Sequence, residues 1–533
     1  MRLASTPDHG SQAVDEVNRP QTRYHESPVA APSPVTSLLD ELVGETASAA
    51  QKGSEQATSG LDWFLQESSA GDALREWLGP LPLLRGLALK RYIAQRLNRD
   101  IARIDALLNG QVNAIIHHPD FQKLEASWRS LHYLVEQIPD GINVKLRVLN
   151  VSWRELTKDL TIRSLEFDQS QLFRKVYSDE FGTPGGEPFG LLLGDYEIRQ
   201  RKSVDHPYDD LETLTAISGV AAAAFAPFIA SVHPSVLQLT SFAELDRPRN
   251  FKMADLFDHL DGLRWRSLRK EEDSRFIGLT LPRVLARLPY ADDSARVDGF
   301  RFREEVGTPD RRNYLWGNAS YAFAGVVIRA FVKWGWFADI RGPRKDDLNG
   351  GIVAGLPVHH FNTDKNGVAP KCSTDTIITD AQEKELSGLG FIPLCACQDT
   401  DLSAFYGNQS IQQAREWDQL PVTVNARLSA MLQYILCASR FAHYLKVIGR
   451  DRVGSFTTPA ELQNYLRSWL TKYTTASDKG DATYPLREAK VEVEELDEKP
   501  GSYLCRFSLR PHYQLEQLAS MLKFESIFVP SKL

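Results

Sequence analysis

The segment from Asn425 to Ser455 constrains the fold more than any other part of the sequence, because it is a long helical pattern with a broad apolar face. Its apolar residues recur at spacings of three and four, which places on one helix face Leu428, Met431, Leu432, Ile435, Leu436, Phe441 and Leu445. Arg440 and His443 lie among them, but the nearby sequence does not supply the nucleophile, base and charge stabiliser that a reaction needs. The segment therefore predicts packing and not catalysis.

Length and charge limit the classes of protein to consider. A chain of 533 residues is too long for one ordinary core and suggests two to four domains. The net charge of -7, without a basic run, argues against nucleic acid as a partner. The first ten residues lack a charged start followed by an apolar core, so no secretory signal is predicted. Five cysteines fit reduced thiols in the cytosol.

One stretch resembles a membrane span in its composition. Residues Thr213 to Ala243 contain no Asp, Lys, Arg or Glu. Pro227, His233 and Pro234 interrupt the stretch, and most of its side chains are small. We therefore predict a buried helix followed by a turn, and a protein without direct membrane insertion.

The first half of the chain alternates between helical and strand patterns. Two amphipathic helices are predicted between Leu83 and Ile138, the second with a buried face made of Phe121, Leu124, Trp128, Leu131, Leu134, Val135 and Ile138. Alternation in "INVKLRVL", from Ile142, predicts a half-buried strand. Ser152 and Glu155 have capping-box spacing and start a helix. The apolar run from Phe189 predicts a strand buried on both faces, so the fold class is α/β, with mixed α+β character.

A group of cysteines and histidines is a weak indication of a metal site or a reactive thiol. Cys395 and Cys397 form a CxC pair, and Cys372, His359 and His360 precede it. Structural zinc sites prefer cysteine pairs with two to four residues between them, and alternation puts both thiols on the same face of a strand. We interpret this pair as structural, with a cytosolic thiol or metal enzyme as the alternative. No cofactor is predicted.

A hairpin near the C-terminus is the last informative element. "AKVEVEE" carries Lys490, Glu492 and Glu494 on its polar face, and "YLCRFSLR" carries Arg506 and Arg510. The opposite charges favour antiparallel pairing, with Pro500 and Gly501 in the turn. A two-stranded hairpin is marginal alone and leaves edges that can accept strands from other chains. It is therefore a candidate assembly device.

Several long segments together resemble the large subunit of the type VI secretion contractile sheath. They occur in order between about residues 90 and 525 and include "HHPDFQKLEASWRSLHYLV", "EFGTPGGEPFGLLLGDYE", "YLWGNASYAFAGVVIRAF", "GLPVHHF", "ITDAQEKELSGLGFIPLCACQDTD", "NARLSAMLQYILCASRFAHYLKV", "YPLREAKVEVEE" and "LRPHYQLEQL". The resemblance implies a multidomain contractile-sheath fold, whose C-terminal domain is like phage tail sheath proteins. It also implies a structural protein and not an enzyme.

The resemblance further implies a set of partners. Members of this family pair with a small sheath subunit, and the heterodimers polymerise into a helical tube around stacked inner tube hexamers. Contraction drives the inner tube out of the cell. The resemblance also implies a baseplate and an AAA+ recycling ATPase, which acts mainly through the small subunit. The implied location is the cytoplasm. The alternative within this class is the sheath of another phage-tail-like contractile particle.

The same resemblance suggests a map of the chain. We expect a flexible Pro/Ser-rich arm at 1–60, a helical region at 61–140, an α/β sheath domain at 141–318, and a sheath core domain with a strand-exchange hairpin at 319–533. The arm departs from the family in length and composition. The candidate residues for strand exchange between protomers are Lys490, Glu492, Glu494, Arg506 and Arg510. A helix from Gln514 to Leu522 would face the inner tube through Gln514, Glu516 and Gln517.

Overall fold

A computed structural model describes most of the chain. It covers residues 64–80, 82–83, 85–161, 167–183, 185–246, 253–258, 260–291, 299–306, 311–344, 347–358, 372–398, 400–452, 458–475, 482–495, 502–511 and 522–528. The chain divides into two compact units, Met1–Ala102 and Arg103–Leu533.

The helices and strands follow one another throughout the described residues. The α-helices are α1 Ala70–Leu78, α2 Leu87–Ile116, α3 Pro119–Glu136, α4 Trp153–Thr161, α5 Asp210–Ala224, α6 Leu260–Lys270, α7 Ala319–Trp334, α8 Asp380–Gly388, α9 Leu420–Ser429, α10 Leu432–Arg452 and α11 Pro459–Thr471. Between α4 and α5 lies a helical segment made of Gln171–Phe173, the π-helical Arg174–Ser178 and Asp179–Phe181. The strands are β1 Leu192–Ile198, β2 Phe228–Val232, β3 Ile277–Leu281, β4 Val284–Leu285, β5 Trp316–Gly317, β6 Pro343–Arg344, β7 Asp347–Gly350, β8 Ile352–Val353, β9 Phe391–Ala396, β10 Ser403–Phe405, β11 Leu486–Glu495, β12 Tyr503–Pro511 and β13 Leu522–Phe528.

The first unit contains α1 and the first part of α2. Ser69 caps α1, since its side chain accepts a hydrogen bond from the backbone N–H of Asp72 at 3.4 Å. The Trp77 indole donates to Asp100 on α2 at 3.2 Å, and its ring lies 5.2 Å from that of Phe64. One polar bond and one aromatic contact thus join α1 to its neighbours.

A six-stranded sheet forms the centre of the second unit, with the order β1-β2-β3-β9-β10-β8. The first four strands are parallel, and β10 pairs antiparallel with β9 and β8. Every residue of β2 and β3 is buried, as expected for parallel strands covered on both faces. The predicted strand after Phe189 is confirmed as β1, and so is the mixed α/β class. The expected burial of this strand on both faces is wrong, because β1 lies at the edge of the sheet and only Gly194 and Ile198 are buried. Strands from before and after residue 318 lie side by side in this sheet.

Helices cover both faces of the central sheet. On one face α5, α6 and α8 form a core that includes Leu214, Ile217 and Trp265. On the other face α7 and the start of α10 contribute Phe323, Val327, Leu432 and Leu436. An added Cβ at Gly278 of β3 would come within 2.6 Å of the Leu432 side chain, so α10 can pack here only because this residue has no side chain. The segment from Asn425 is thereby confirmed as a packing element, but it is not one helix, because α9 ends at Ser429 and α10 begins at Leu432.

The alanine-rich stretch forms the predicted helix and turn. Its helix is confirmed as the buried α5, and the left-handed Phe225 turns the chain after it. The stretch then continues as the strand Phe228–Val232, β2, which was not predicted. Pro227 ends the helical pattern, and the β-branched Ile229 and Val232 suit a strand buried on both faces. In the described part of the chain, no helix is long and apolar enough to cross a membrane.

Two predicted buried surfaces are exposed in the structure. The segment "INVKLRVL" is not a strand of any sheet that the described residues form, and Val148 is 72% exposed. Helix α3 buries Ala126, Ser130 and Leu134, while most of its predicted face is exposed: Phe121, Leu124, Trp128 and Val135. Small residues let α3 approach α7 closely, so the larger apolar side chains point away. The capping box of Ser152 and Glu155 at α4 is confirmed.

Candidate assembly surface at the C-terminal sheet

The predicted hairpin is part of a three-stranded antiparallel sheet, with the order β11-β12-β13. Strands β11 and β12 pair as expected, with Val491 opposite Phe507. The third strand, β13, was not predicted, although "LKFESIF" shows the alternation of a strand. Leu522 was expected to end a helix and instead begins β13. The candidates Gln514, Glu516 and Gln517 lie outside the described residues.

One face of this sheet packs on α10 and α11. Alternate residues of β12 are buried: Tyr503, Cys505, Phe507 and Leu509. They contact Phe441 of α10 and Leu466 of α11 within one core cluster. A register shift between Leu486 and Glu488 places Leu486 on the same face as Val491 and Val493. The helices therefore hold the sheet in place and decide which face points outward.

The opposite face carries all five residues predicted for strand exchange: Lys490, Glu492, Glu494, Arg506 and Arg510. The Arg506 guanidinium lies 2.8 Å from a carboxylate oxygen of Glu494, and Lys490 Nζ lies 3.3 Å from Glu488. Glu492 stands opposite Arg506, and Glu488 opposite Arg510, in the ladder. These exposed pairs each contribute about 0–1 kcal/mol, so the face is a charged surface more than a source of stability.

The two outer edges of the sheet differ. Near its start, β11 is covered by its own chain, because the Leu486 N–H donates to Tyr473 and the Leu486 carbonyl accepts from Thr475. Near its end, the Val493 N–H donates to the Gln463 side chain at 3.1 Å. The outer edge of β13 has no ladder partner among the residues that the structure describes. An unpaired edge of this kind can accept a strand from another chain.

The cysteine pair is placed as a structural element. Cys395 is buried on β9, and burial raises the pKa of its thiol to about 12. Cys397 follows the strand and is partly exposed, with its pKa also raised by burial. His359 and His360 lie outside the described residues. Across the described ranges, no three His, Cys, Asp or Glu side chains are grouped to hold a metal ion.

A buried ion cluster joins α3 to the chain after β4 and was not predicted. Arg287 lies 2.7 Å from Glu125 of α3 and 2.5 Å from Glu304, and Arg129 also contacts Glu125 at 2.7 Å. Burial pushes the pKa of Glu125 upward, but hydrogen bonds from Arg287 and Arg129 hold it below its usual range. Glu125, Arg287 and Glu304 are far apart in sequence, so periodicity gives no sign of their contact.

Comparison with known proteins identifies the family. The VipB model for the tail sheath N-terminal domain (EvpB/VC_A0108) matches residues 98–412, and the model for the tail sheath gpW/gp25-like domain matches residues 422–527. The chain is 44% identical over 432 residues to the type VI secretion system sheath protein TssC1 of Pseudomonas aeruginosa, which covers 80% of this chain and 84% of that protein.

A solved structure also shows some likeness. It is the cryo-EM structure of the anti-feeding prophage baseplate, with 11% identity over 61% of this chain and 63% of that chain and a TM-score of 0.28, too low to support any conclusion. The family models and the identity to TssC1 decide against the thiol or metal enzyme hypothesis, because this is a family of structural proteins. The chain belongs to the TssC/VipB family, the large subunits of the type VI secretion contractile sheath.

Proposed function

We propose that this chain pairs with a small sheath subunit and that the heterodimers polymerise, in the cytoplasm, into a helical tube around inner tube hexamers. The C-terminal sheet carries the proposal, because it combines an outer edge of β13 without a ladder partner among the described residues with an outward charged face. A contact between different surfaces of identical subunits does not close on itself and generates a helical polymer. Contraction would exchange one packing of these subunits for another.

The residues proposed for strand exchange are those of the charged face. Lys490, Glu492, Glu494, Arg506 and Arg510 all project from the side of the sheet that α10 and α11 leave uncovered. A strand from a neighbouring protomer would gain backbone hydrogen bonds at the sheet edge and would meet an alternating pattern of charge. This pattern sets which strand can bind and in what register.

Further contacts of the assembly follow from the same proposal. The exposed apolar side of α3, with Trp128 67% exposed, supports a contact with another chain. We assign the inner tube contact to Gln514, Glu516 and Gln517, and the sheath core to residues 319–533, after the α/β domain at 141–318 and the helical region at 61–140. A baseplate would hold the tube, and an AAA+ ATPase would recycle it mainly through the small subunit. The arm predicted at 1–60 lies outside the described residues.

The test is negative-stain electron microscopy of the chain co-expressed with its small subunit. The wild type is expected to form long tubes. Charge reversal in the double variant R506E/R510E should remove most tubes, because it places acidic side chains beside Glu492 and Glu494 on the surface that meets the neighbour. Affinity capture of the small subunit should be unchanged. Normal tubes from this variant would contradict the role given to the charged face.

A matched control separates contacts within the chain from contacts between chains. The swap E494R/R506E restores one acidic and one basic residue at the 2.8 Å pair but reverses their positions. If Arg506 acts on a neighbouring protomer, the swapped variant should still assemble poorly. Recovery of tubes in the swap would mean that Arg506 acts only through Glu494 of its own chain.

A further inference from the structure

The outer edge of β11 is closed near both of its ends by residues of the same chain. At its start, the Leu486 N–H donates to the Tyr473 carbonyl at 3.2 Å, and the Leu486 carbonyl accepts from Thr475 at 2.9 Å. Near its end, the Val493 N–H donates to the side-chain oxygen of Gln463 at 3.1 Å. The two closures differ in kind, because backbone covers the start of the edge and one side chain covers its end.

Between the closures, alternate residues turn their backbone groups outward. In an antiparallel pair, a residue whose N–H points away from the partner strand is followed two residues later by another such residue. Val493 turns its N–H away from β12 and toward Gln463, so Val491 and Ala489 also face outward in the regular register of this pair. Ala489 and Val491 together span less than an ordinary strand of about 5–6 residues. Gln463 thus keeps the open part of the edge too short for a strand.

Gln463 reaches the edge because its helix packs on β11. Leu462 and Leu466 of α11 lie in one core cluster with Val491 and Val493. Gln463 follows Leu462 and is partly exposed. Its side-chain amide presents to the Val493 N–H the same kind of carbonyl oxygen that an added strand would present. One side chain therefore takes the place of a neighbouring strand at this point.

Without the Gln463 side chain, the open edge would extend over residues 488–494, which is long enough to accept a strand. A second copy of the same edge matches it by symmetry. When two copies of β11 pair antiparallel about Val491, each Val491 faces its counterpart and each Ala489 faces Val493, so the outward backbone groups meet in register. Only an identical edge is certain to have this matching spacing.

Charge does not decide this pairing. In the same register, Lys490 stands opposite Glu492 of the other copy, and Glu488 stands opposite Glu494. The attraction of the first pair offsets the repulsion of the second. The pairing would therefore rest on backbone hydrogen bonds.

We propose that Gln463 guards the outer edge of β11 and so keeps free copies of this chain from closing into a symmetric dimer. Such a dimer uses the same edge on both copies, so it closes on itself and does not propagate. It would withdraw subunits from a helical polymer, whose contacts join different surfaces. The inference goes beyond the proposed function and concerns the chain by itself.

The test is sedimentation equilibrium of the full chain without the small subunit. Q463A should lower the dissociation constant of the dimer by about 10- to 100-fold, because neither copy then gives up a hydrogen bond when the edges pair. Q463E is the matched control, since it keeps an acceptor oxygen at the same position and should behave as the wild type does. A Q463A chain that associates no more tightly than the wild type would overturn the inference.

A second variant tells whether the dimer uses this edge. Proline is tolerated where an edge strand turns its N–H outward, and it removes that donor. Q463A/A489P should therefore return to the weak association of the wild type. A dimer that survives in the double variant would assign the association to another surface.

Amide hydrogen exchange gives a measurement that does not depend on the folding of the proline variant. In Q463A, the amides of Ala489, Val491 and Val493 should become more protected as the protein concentration rises. In the wild type, their protection should not change with concentration. Dimerisation of Q463A without this protection would also contradict the guard. Tube formation with the small subunit is a separate measurement, so failure of the guard is distinguishable from failure of the proposed function.

Discussion

At the scale of single residues, Arg287 is a charged side chain held in the interior by two carboxylates. It is 6% exposed and lies between the carboxylates of Glu125 and Glu304. A buried ion pair contributes little net stability when intact, because desolvation offsets the attraction. Removing one partner is costly, however, since the remaining charge stays buried without compensation. The cluster therefore fixes the position of α3, and its loss should lower the stability of the whole unit.

We expect Arg287→Met to lower the free energy of unfolding by about 3–5 kcal/mol, because Glu304 is left charged and buried. Thermal unfolding followed by circular dichroism measures this loss. Arg129→Met is the matched control, as Arg129 contacts the same Glu125 but its side chain is 40% exposed, and about 1 kcal/mol or less is expected. Equal losses in the two variants would contradict the importance of burial here.

The five cysteines should differ sharply in reactivity. Burial raises the pKa of Cys395, Cys437 and Cys505 to about 12, so almost none of these thiols is ionised at pH 8. Cys372 is partly exposed. We expect iodoacetamide to modify Cys372 in the folded protein and to leave the three buried thiols intact, as measured by peptide mass spectrometry.

Denaturant serves as the control for this labelling, because all five thiols should react once the chain is unfolded. Rapid modification of Cys437 in the folded protein would show that the packing of α10 described above is wrong.

At the scale of elements, periodicity correctly predicted helices and strands whose apolar faces are covered by other residues of the same chain. The helices α5 and α10 and the strands β1, β11 and β12 follow from their apolar patterns, since their partners lie in the same chain. The five candidate residues of the charged face were also found in this way, because β-strand alternation separates them from the buried side. Their role in assembly stays a prediction.

Periodicity gave wrong predictions where an apolar surface is not covered by the described part of the same chain. The apolar positions of α3 and of Ile142–Leu149 were predicted to be buried, but within the described residues most of them are exposed. A sequence pattern shows that a surface avoids water and does not show which molecule covers it. Strand β2 was missed for a different reason, because a strand of five buried residues has no polar alternation to mark it.

At the scale of the whole molecule, buried ionisable groups make stability depend on pH. His443 of α10 is buried against the end of α5, where its Nε2 lies 2.9 Å from the Ala224 carbonyl. Burial, together with the charges of Arg440 and Lys446, lowers the pKa of His443 to about 3. Its folded pKa is depressed, so the unfolded chain binds the proton first as the pH falls.

We therefore expect His443 to reduce the free energy of unfolding by about 1.4 kcal/mol for each pH unit below about 6.5. The buried Asp375 acts in the opposite direction, since burial raises its pKa to about 6 and the folded state takes up that proton first. The contribution of His443 is thus isolated by comparing the wild type with His443→Gln in urea titrations at pH 7, 6 and 5. The variant should lose less stability on acidification.

His132→Gln is the matched control, because it makes the same substitution at a side chain that is 73% exposed, whereas His443 is buried. A wild-type slope that survives in His443→Gln would mean that other groups cause the acid sensitivity.

The order of strands in the central sheet has a consequence for synthesis. Strand β3 ends at Leu281, and its neighbour β9 begins only at Phe391. Ribosomes add about 5–20 residues per second, so the roughly 110 residues in between keep one edge of β3 open for about 5–20 s. During that time the nascent chain presents a strand with three large apolar side chains and with free backbone groups along one edge. On a crowded polysome this edge is where misassembly between neighbouring nascent chains would begin.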